Sequence, residues 1–395
     1  MIHLLVSYHT CPFEEPGVGL SGGMNIFLRG LLAGLSRRGF PTTVLTRGSG
    51  DRILESRPAP AVRVFHIPCG WADPPSRESA YRSLPAFVAG ARALLDSLAF
   101  RPGVVSAHYW MSGVAAIELR ESASRRPPLV LVYHTVEARK GEREGSSEGL
   151  SPVRRREEER LSREADCIVC FTGEDLAETE RLFPSVAGKG AVIPPGVDEM
   201  FLDLLRRDEA RRGLGIPPGA FVFLLAARPD PTKGVGEAVA AFRMLVPEHA
   251  GGSFLLVAGQ RAAAGDAPGN VRWLGPVLHA RMPGIYAAAD AVLCPSTYES
   301  FGLVPLEALA CGVPVVVPAS GYWGGRIAAE GGGLVYAPGS REDLAAAMRS
   351  LARDPALRAR LGEEARRLAA PFTWERCTEA WERLLARAAT PGSRR

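Results

Sequence analysis

The chain has 395 residues, of which 46% are hydrophobic and 23% are charged. Its 47 Lys and Arg residues nearly balance its 43 Asp and Glu residues, so the net charge of +4 excludes a polybasic nucleic-acid clamp and an acidic disordered tail. No apolar run approaches the ~18 residues that span a bilayer, and no basic leader opens the chain. Seven scattered cysteines, an odd number, argue against a disulfide framework. We therefore expect a cytoplasmic protein with no transmembrane segment and no nucleic-acid partner.

The first half of the chain alternates short apolar runs with amphipathic stretches. The stretches Met24–Arg38 and Ser83–Leu98 have helical periodicity. Because the apolar runs are continuous rather than alternating, they predict strands that are buried on both faces of a parallel sheet. These runs lie at 2–7, 42–46, 62–67, 104–109, 129–134 and 167–172.

A second series of strands and helices follows a pause at Pro194-Pro195. Its predicted strands lie at 221–227, 253–259, 271–275, 291–296, 313–318 and 333–337. The alternation predicts an α/β protein of two doubly wound, Rossmann-like domains. We place the domains at 1–194 and 195–373, and expect a C-terminal helix over about 374–390 to pack back on the first domain. Ligands of such sheets bind beyond the carboxyl ends of the strands, so the expected site is a cleft where those ends face each other.

The first predicted strand is followed by a glycine-rich loop. Gly17–Gly22 spells G-x-G-x-x-G, but about nine residues separate it from the strand, and strand two ends without an acidic residue to hold a ribose. We therefore do not expect a nicotinamide or flavin. A helix that starts at Gly22-Gly23 still offers free N–H groups to a phosphate, and the alternative is a flexible loop without a ligand.

Cations follow the strand at 221–227. Arg228 and Lys233 lie in a loop that Pro229 and Pro231 interrupt. One planar guanidinium and one ammonium group can together neutralise a diphosphate. Only three lysines occur in the chain, so Lys233 marks a place where a compact charge is needed. A solvated basic loop is the alternative.

Two carboxylates follow the strand at 291–296. Glu299 is predicted to lie in a loop, and Glu307 on a helix among apolar neighbours. A carboxylate in such a setting needs hydrogen-bond donors, and sugar or ribose hydroxyls are suitable ones. The alternative is a local cap or pair for Glu307. His66, His249 and His279 belong to no motif and are expected to be ordinary core or surface residues.

In this order, the three sites resemble the retaining glycosyltransferases of family 4, which have the two-domain GT-B architecture. The resemblance covers nearly the whole chain. Four further motifs resemble the branch that contains the D-inositol 3-phosphate glycosyltransferases, with the sucrose-phosphate synthases more distant. They are His9-Thr10, Gly22–Asn25, His108–Trp110 and His134-Thr135.

The resemblance implies a role for each matching residue. Catalytic roles fall to Arg228, Lys233, Glu299 and His134. Donor-binding roles fall to Gly22, Gly23, Arg228, Lys233, Val277, Glu299 and Glu307. Acceptor-binding roles fall to His9, Asn25, Tyr109, Thr135 and an arginine at 154 or 155, of which only one is expected to turn inward.

The resemblance also implies the reaction. It is transfer of a hexose from a nucleotide sugar, with UDP-N-acetylglucosamine or UDP-glucose expected, to a small phosphorylated acceptor such as 1D-myo-inositol 3-phosphate. No cofactor and no metal are expected, and a homodimer is among the expected assemblies. Tyr81 stands where the inositol-phosphate enzymes carry a lysine for the acceptor phosphate, so Arg77 or Arg82 is its candidate replacement. The alternative functions are an epimerase or phosphorylase of the same architecture and a non-catalytic nucleotide-sugar sensor.

Overall fold

The computed structural model describes residues 2–16, 22–70, 76–121, 126–139, 151–203, 206–228, 230–245, 252–259 and 269–390. They form two compact units. One unit takes in the chain up to Glu14, the stretch that ends at Gly196 and the C-terminal part from Trp374 onward, and the other is built on Val197–Thr373. Residues 17–21 of the glycine-rich loop, and also Pro229 and His249, lie outside the described residues.

The first unit contains a sheet in the order β3-β4-β2-β1-β5-β6-β7-β8. Its strands are β1 (His3–Ser7), β2 (Thr42–Gly48), β3 (Leu54–Ala59), β4 (Val62–Pro68), β5 (Val104–His108), β6 (Leu129–Val132), β7 (Cys167–Cys170) and β8 (Gly190–Val192). Their pairings are parallel except that of β3, which runs antiparallel to β4 at the edge. β1, β2, β5 and β6 are buried throughout, as strands covered on both faces must be.

Seven helices among the described residues belong to this unit. They are α1 (Gly23–Arg37), α2 (Arg77–Arg82), α3 (Leu84–Ser97), α4 (Trp110–Glu121), α5 (Ser151–Glu164), α6 (Gly173–Leu182) and the C-terminal helix α14 (Trp374–Ala389). α14 buries Trp381 completely against this unit. Gly30 of α1 permits the close approach, because a Cβ atom there would lie 2.2 Å from the Trp374 ring.

The second unit contains an all-parallel sheet in the order β11-β10-β9-β12-β13-β14. Its strands are β9 (Phe221–Ala226), β10 (Ser253–Ala258), β11 (Val271–Gly275), β12 (Ala291–Leu293), β13 (Val315–Pro318) and β14 (Gly333–Tyr336). The accompanying helices are α7 (Arg207–Gly213), α8 (Val235–Leu245), α9 (Met282–Ala288), α10 (Leu303–Ala310), α11 (Gly321–Glu330), α12 (Arg341–Arg353) and α13 (Pro355–Ala369). Side chains cap the starts of two of these helices. Ser340 accepts from the Asp343 N–H at the start of α12, and Asp354 accepts from the Leu357 N–H at the start of α13.

Both units are Rossmann-like α/β structures, and the predicted fold class is confirmed. Every strand predicted from an apolar run is present. The sequence pattern missed β3 and β8. β3 is exposed along nearly its whole length and so carries no apolar signal, and β8 has only three residues. Within the described parts of the chain, no helix combines the length and apolar character that a membrane span requires.

Candidate active site

In the second unit, the strand order reverses between β9 and β12. The chain continues from β9 to β10 on one side, and later returns to place β12 on the other side. Loops that leave neighbouring strands at such a point diverge, and a crevice opens at the carboxyl edge of the sheet. Arg228 and Lys233 follow β9, and Glu299 follows β12, so the sequence-predicted residues lie at this switch point.

Lys233 and Glu299 form an ion pair. The Lys233 Nζ atom lies 2.6 Å from Glu299 Oε1, with side-chain exposures of 20% and 36%. Lys233 ends a short 3-10 turn, Pro231–Lys233, whose start is capped by the Asp230 carboxylate, which accepts from the Thr232 N–H at 3.0 Å. The capped turn thus fixes the backbone position of Lys233 in the ion pair.

A backbone link fixes the two loops to each other. The Thr297 N–H donates to the Thr232 carbonyl oxygen at 2.9 Å. Gly234, at φ +64°, allows the loops to meet, because a Cβ atom there would lie 2.5 Å from the Pro295 carbonyl oxygen. Cation and carboxylate are therefore set in place before a ligand arrives.

Arg228 has a different setting. It is exposed at the end of β9, and its guanidinium group makes no hydrogen bond or ion pair with the other described residues. Glu299 pairs with Lys233 and the Asp230 carboxylate caps the turn, whereas the charge of the Arg228 guanidinium group is not used in an ion pair with the other described residues. That charge favours an anionic ligand, and a guanidinium group suits phosphate oxygens.

Glu307 lies on α10 and is 5% exposed. Its Oε2 atom accepts the Tyr286 hydroxyl at 2.8 Å, and its Oε1 atom lies 3.0 Å from His279 Nε2. Burial, together with the adjacent Glu307 carboxylate, raises the pKa of Tyr286 well above its usual value. A carboxylate offers about four acceptor positions, so these two bonds leave capacity for ligand hydroxyls.

His279 is the residue of this group that sequence reasoning missed. It is 8% exposed, as expected of a core residue, but it also joins Glu307 on one side and faces Asp198 at 3.7 Å from its Nδ1 atom. No motif marks His279, because Glu307 lies 28 residues later in the sequence and Asp198 lies 81 residues earlier. Val277, the expected base-contacting position, lies two residues earlier and is half-buried.

The first unit has its own switch point, between β1 and β5. The loops that follow β1, β5 and β6 carry His9, Tyr109 and His134. Tyr109 has φ +77° and His134 has φ +59°, both in the left-handed region that disfavours residues other than glycine. Backbone strain of this kind is typical of functional sites.

His9, Tyr109 and Arg154 form a stack. The His9 and Tyr109 rings are 4.6 Å apart, and the Arg154 guanidinium carbon lies 5.0 Å from the Tyr109 ring centroid. Arg154 also donates to Thr135, at 2.7 Å to its carbonyl oxygen and 3.1 Å to its hydroxyl. The structure thus brings together four of the residues expected to bind an acceptor.

Arg154 is the inward-turned arginine of α5, at 3% exposure, whereas Arg155 is exposed. Glu158 accepts a hydrogen bond from the Arg154 Nε atom at 2.7 Å, and Glu137 lies 3.0 Å from the Arg154 Nη1 atom. Burial opposes the charge, but Tyr109 and these carboxylates outweigh it and raise the pKa of the Arg154 guanidinium. Arg154 is therefore a permanent cation with a fixed orientation.

Asn25 is fully engaged within the protein. At 1% exposure, its amide donates to the Thr10 hydroxyl at 3.0 Å and to the Cys11 carbonyl at 2.7 Å, and it accepts from the Gly22 N–H at 3.0 Å. Asn25 thus ties the loop after β1 to the start of α1. The helix begins at Gly23, whose N–H points outward from the first turn, as an anion would require.

The two candidate replacements for the missing lysine lie on α2. Arg82 is 77% exposed and paired with Glu78 at 2.5 Å, and Arg77 is exposed as well. Tyr81, in the position of that lysine, packs its ring 5.2 Å from that of Trp110. Neither arginine contacts the stack of His9, Tyr109 and Arg154 in the described structure.

The fold and these sites define a class. Two Rossmann-like units, with fixed cations and carboxylates at a strand-order switch point, are the organisation of a GT-B glycosyltransferase. Residues 21–200 match the family described as Glycosyltransferase Family 4, and residues 206–368 match Glycosyl transferases group 1.

Relatives extend over nearly the whole chain. A D-inositol 3-phosphate glycosyltransferase of Actinosynnema mirum is 34% identical, over 95% of this chain and 94% of that enzyme. Its counterpart from Saccharomonospora viridis is also 34% identical, over 95% of this chain and 91% of its own length. The chain therefore belongs to family 4 of the glycosyltransferases and is a glycosyltransferase.

Solved structures show the same architecture. The sucrose-phosphate synthase of Thermosynechococcus elongatus superposes with a TM-score of 0.84 at 25% identity, covering 98% of each chain. Anabaena HepE, solved in complex with UDP, superposes with a TM-score of 0.71 at 20% identity, covering 98% of this chain and all of that one. The latter likeness concerns the fold alone.

Proposed function

We propose that this protein is a retaining glycosyltransferase. Its donor is a nucleotide sugar, UDP-N-acetylglucosamine or UDP-glucose, and its acceptor is a hydroxyl of a small phosphorylated compound such as 1D-myo-inositol 3-phosphate. The observation that carries the proposal is the Lys233–Glu299 pair at the switch point of the second unit, together with the exposed Arg228 that follows the same strand as Lys233.

The donor assignment follows from charge. When the bond between the sugar and the diphosphate breaks, negative charge grows on the phosphate, and fixed cations stabilise it without reorganisation. Arg228 and Lys233 supply that charge. Glu299 binds hydroxyls of the donor sugar, and the free acceptor positions of Glu307 bind those of the ribose. Val277 contacts the base, and the Gly23 amide is a further donor to phosphate, whereas the Gly22 N–H is already bonded to Asn25. UDP is the nucleotide in the HepE complex.

The acceptor assignment rests on the first unit. Glu137 and Glu158 already neutralise the buried Arg154, which donates to the Thr135 hydroxyl and so orients that hydroxyl toward a phosphate group. His9 and Tyr109 form the adjoining wall, and Asn25 holds the loop that carries His9. The relatives at 34% identity act on D-inositol 3-phosphate, which is such a phosphorylated compound.

Retention follows, in this proposal, from displacement on one face of the sugar. The bond from the anomeric carbon to the diphosphate oxygen breaks, the acceptor oxygen bonds to the same face, and the acceptor proton passes to the departing phosphate. Burial lowers the pKa of His134 to about 3, so its imidazole is a weak base at neutral pH. His134 therefore orients the sugar. The fixed cations also take the place of a metal ion at the leaving group.

The cysteines bear on the compartment. All seven are free, which fits a reducing compartment such as the cytoplasm.

A product screen tests the proposal. UDP-, GDP- and ADP-sugars are each combined with inositol 3-phosphate, glucose 6-phosphate or fructose 6-phosphate, with unphosphorylated inositol as the matched control. We expect acceptor-dependent release of UDP only with a phosphorylated acceptor, and proton NMR should show an α-anomeric product from an α-linked donor. A β-anomeric product would refute retention. Sugar epimerised or phosphorolysed without an acceptor would refute the transferase.

A further inference from the structure

Two histidines that follow neighbouring strands are in direct contact. The His108 Nδ1 atom, at the end of β5, lies 3.2 Å from His134 Nε2, just beyond β6. His108 is completely buried, and its other ring nitrogen, Nε2, has no hydrogen-bond partner. The contact with His134 is thus the one polar interaction of the His108 ring in the described structure.

Both rings are neutral. Burial, with smaller contributions from His134 and His3, lowers the pKa of His108 well below its ordinary value, and burial lowers the pKa of His134 to about 3. A neutral imidazole carries one N–H and one lone pair. The contact therefore contains a single proton, and one ring donates to the other.

The surroundings of His108 Nε2 decide the direction. The rings beside it are Trp381, at 5.7 Å and 33° between planes, and Phe27, at 5.9 Å and 45°. An N–H lies in the plane of its own ring, so at such shallow tilts it cannot point squarely at either aromatic face. A buried N–H without an acceptor is rarer and costlier than an unused lone pair.

A second buried donor without an acceptor supports the same direction of the hydrogen bond between the two histidines. The Trp381 Nε1–H, on the ring next to His108, is also buried without an acceptor. If His108 Nε2 carried a proton, two unpaired donors would lie on adjoining rings. With a lone pair at Nε2, the indole N–H instead neighbours an acceptor, which is the electrostatically favourable arrangement.

We propose that His108 is a positioning residue that carries its proton on Nδ1 and donates it to His134 Nε2, which fixes His134 as the Nδ1–H tautomer. His134 is partly exposed, and its Nδ1 atom is open to a ligand. His134 accordingly presents a hydrogen-bond donor, and no basic lone pair, to its ligand. This consequence rests on the proposed function, whereas the proton positions do not.

Histidine-selective ¹⁵N NMR of the full-length protein tests the proton positions without any assay of activity. Long-range proton–nitrogen correlations distinguish the Nδ1–H tautomer, the Nε2–H tautomer and the imidazolium. His134 and His108 are assigned from the signals that disappear in His134→Asn and His108→Asn. We expect both rings to show the Nδ1–H pattern at pH 7.5. An Nε2–H or imidazolium pattern for either ring would overturn the proposal.

Two substitutions of His108 test the positioning role. Asn places an amide N–H near the position of Nδ1, so His108→Asn should keep the Nδ1–H pattern of His134. His108→Leu removes the donor, so His134 should shift toward the Nε2–H tautomer, and kcat should fall about tenfold while the acceptor KM changes less than twofold. Unchanged His134 signals in His108→Leu would refute the role. Should that variant not fold, the wild-type spectrum still decides the proton positions.

The matched control is His66→Asn. His66 is another histidine of the first unit, whose Nε2 atom lies 3.5 Å from Cys11 Sγ rather than from a second ring. Its replacement should leave the His134 signals in place. If the tautomer is confirmed but no transfer to any acceptor is found, the proposed function fails and the assignment of the protons stands.

Discussion

Lys233→Ala separates the proposed catalytic role of the Lys233–Glu299 pair from its structural role. The pair is partly open to water, at 20% and 36% side-chain exposure, so its loss should cost the fold only about 0.2–1 kcal/mol. Removal of one preorganised charge from a developing anion typically lowers kcat by about 10²–10³, which corresponds to roughly 3–4 kcal/mol. We therefore expect a large loss of turnover with little loss of stability. Turnover is measured as UDP release, and stability as the urea midpoint.

Lys189→Ala is the matched control, because Lys189 is another of the three lysines and lies in the first unit. Its Nζ atom donates to the carbonyl oxygens of Arg163 and Ala165 at 3.0 and 2.9 Å, so its loss should lower stability by about 1–2 kcal/mol and leave turnover within twofold. The two variants should thus show opposite patterns. If Lys233→Ala keeps more than a third of wild-type turnover, the leaving-group assignment is wrong.

Three further predictions concern the buried groups and the proposal that turnover needs no metal ion. Glu307→Ala should lower the free energy of unfolding by about 2–4 kcal/mol, because it strands the buried donors of His279 and Tyr286; urea unfolding checks this, and a loss below about 0.5 kcal/mol would contradict it. Acidification from pH 7.5 to 5.5 should destabilise the protein by about 1 kcal/mol for each of His3 and His134. The pKa values of both are lowered to about 3 in the folded protein, from the ordinary value of 6.5, so only the unfolded chain takes up protons in this pH range. A urea midpoint that is unchanged between these pH values would refute this. Dialysis against EDTA should leave kcat within twofold, and recovery of lost activity by added Mg²⁺ or Mn²⁺ would refute the role of fixed cations.

The buried parallel strands could be predicted from the sequence for a physical reason. A strand covered on both faces must be apolar at every position, so runs such as that of β9 stand out from the helices beside them. The antiparallel strand β3 escapes this rule because it lies at the sheet edge with its side chains in water. Pro58 within it also reads as a break, although proline is tolerated at an edge.

Placement of site residues at the strand ends also followed from the sequence, but their partners did not. Lys233 and Glu299 were each predicted to face a ligand, yet they face one another, since β9 and β12 are neighbours in the sheet although 66 residues separate the two side chains. The contact of His279 with Glu307 arises in the same way, from a short turn and a helix that the topology brings together. Strand order, which a single sequence does not specify, decides such pairings.

Two residues of the first unit, Tyr109 and His134, combine a strained backbone with a side chain that glycine could not replace. Tyr109 and His134 occupy the left-handed region at the ends of adjacent strands, at a cost of about 1–3 kcal/mol each. Glycine would adopt the same backbone without that cost, so the turn by itself does not explain either residue. What glycine lacks is the ring that stacks between His9 and Arg154, and the imidazole that accepts the hydrogen bond from His108. The fold therefore sustains the strain in order to hold two rings in fixed orientations at one edge of the sheet, where an acceptor is proposed to bind.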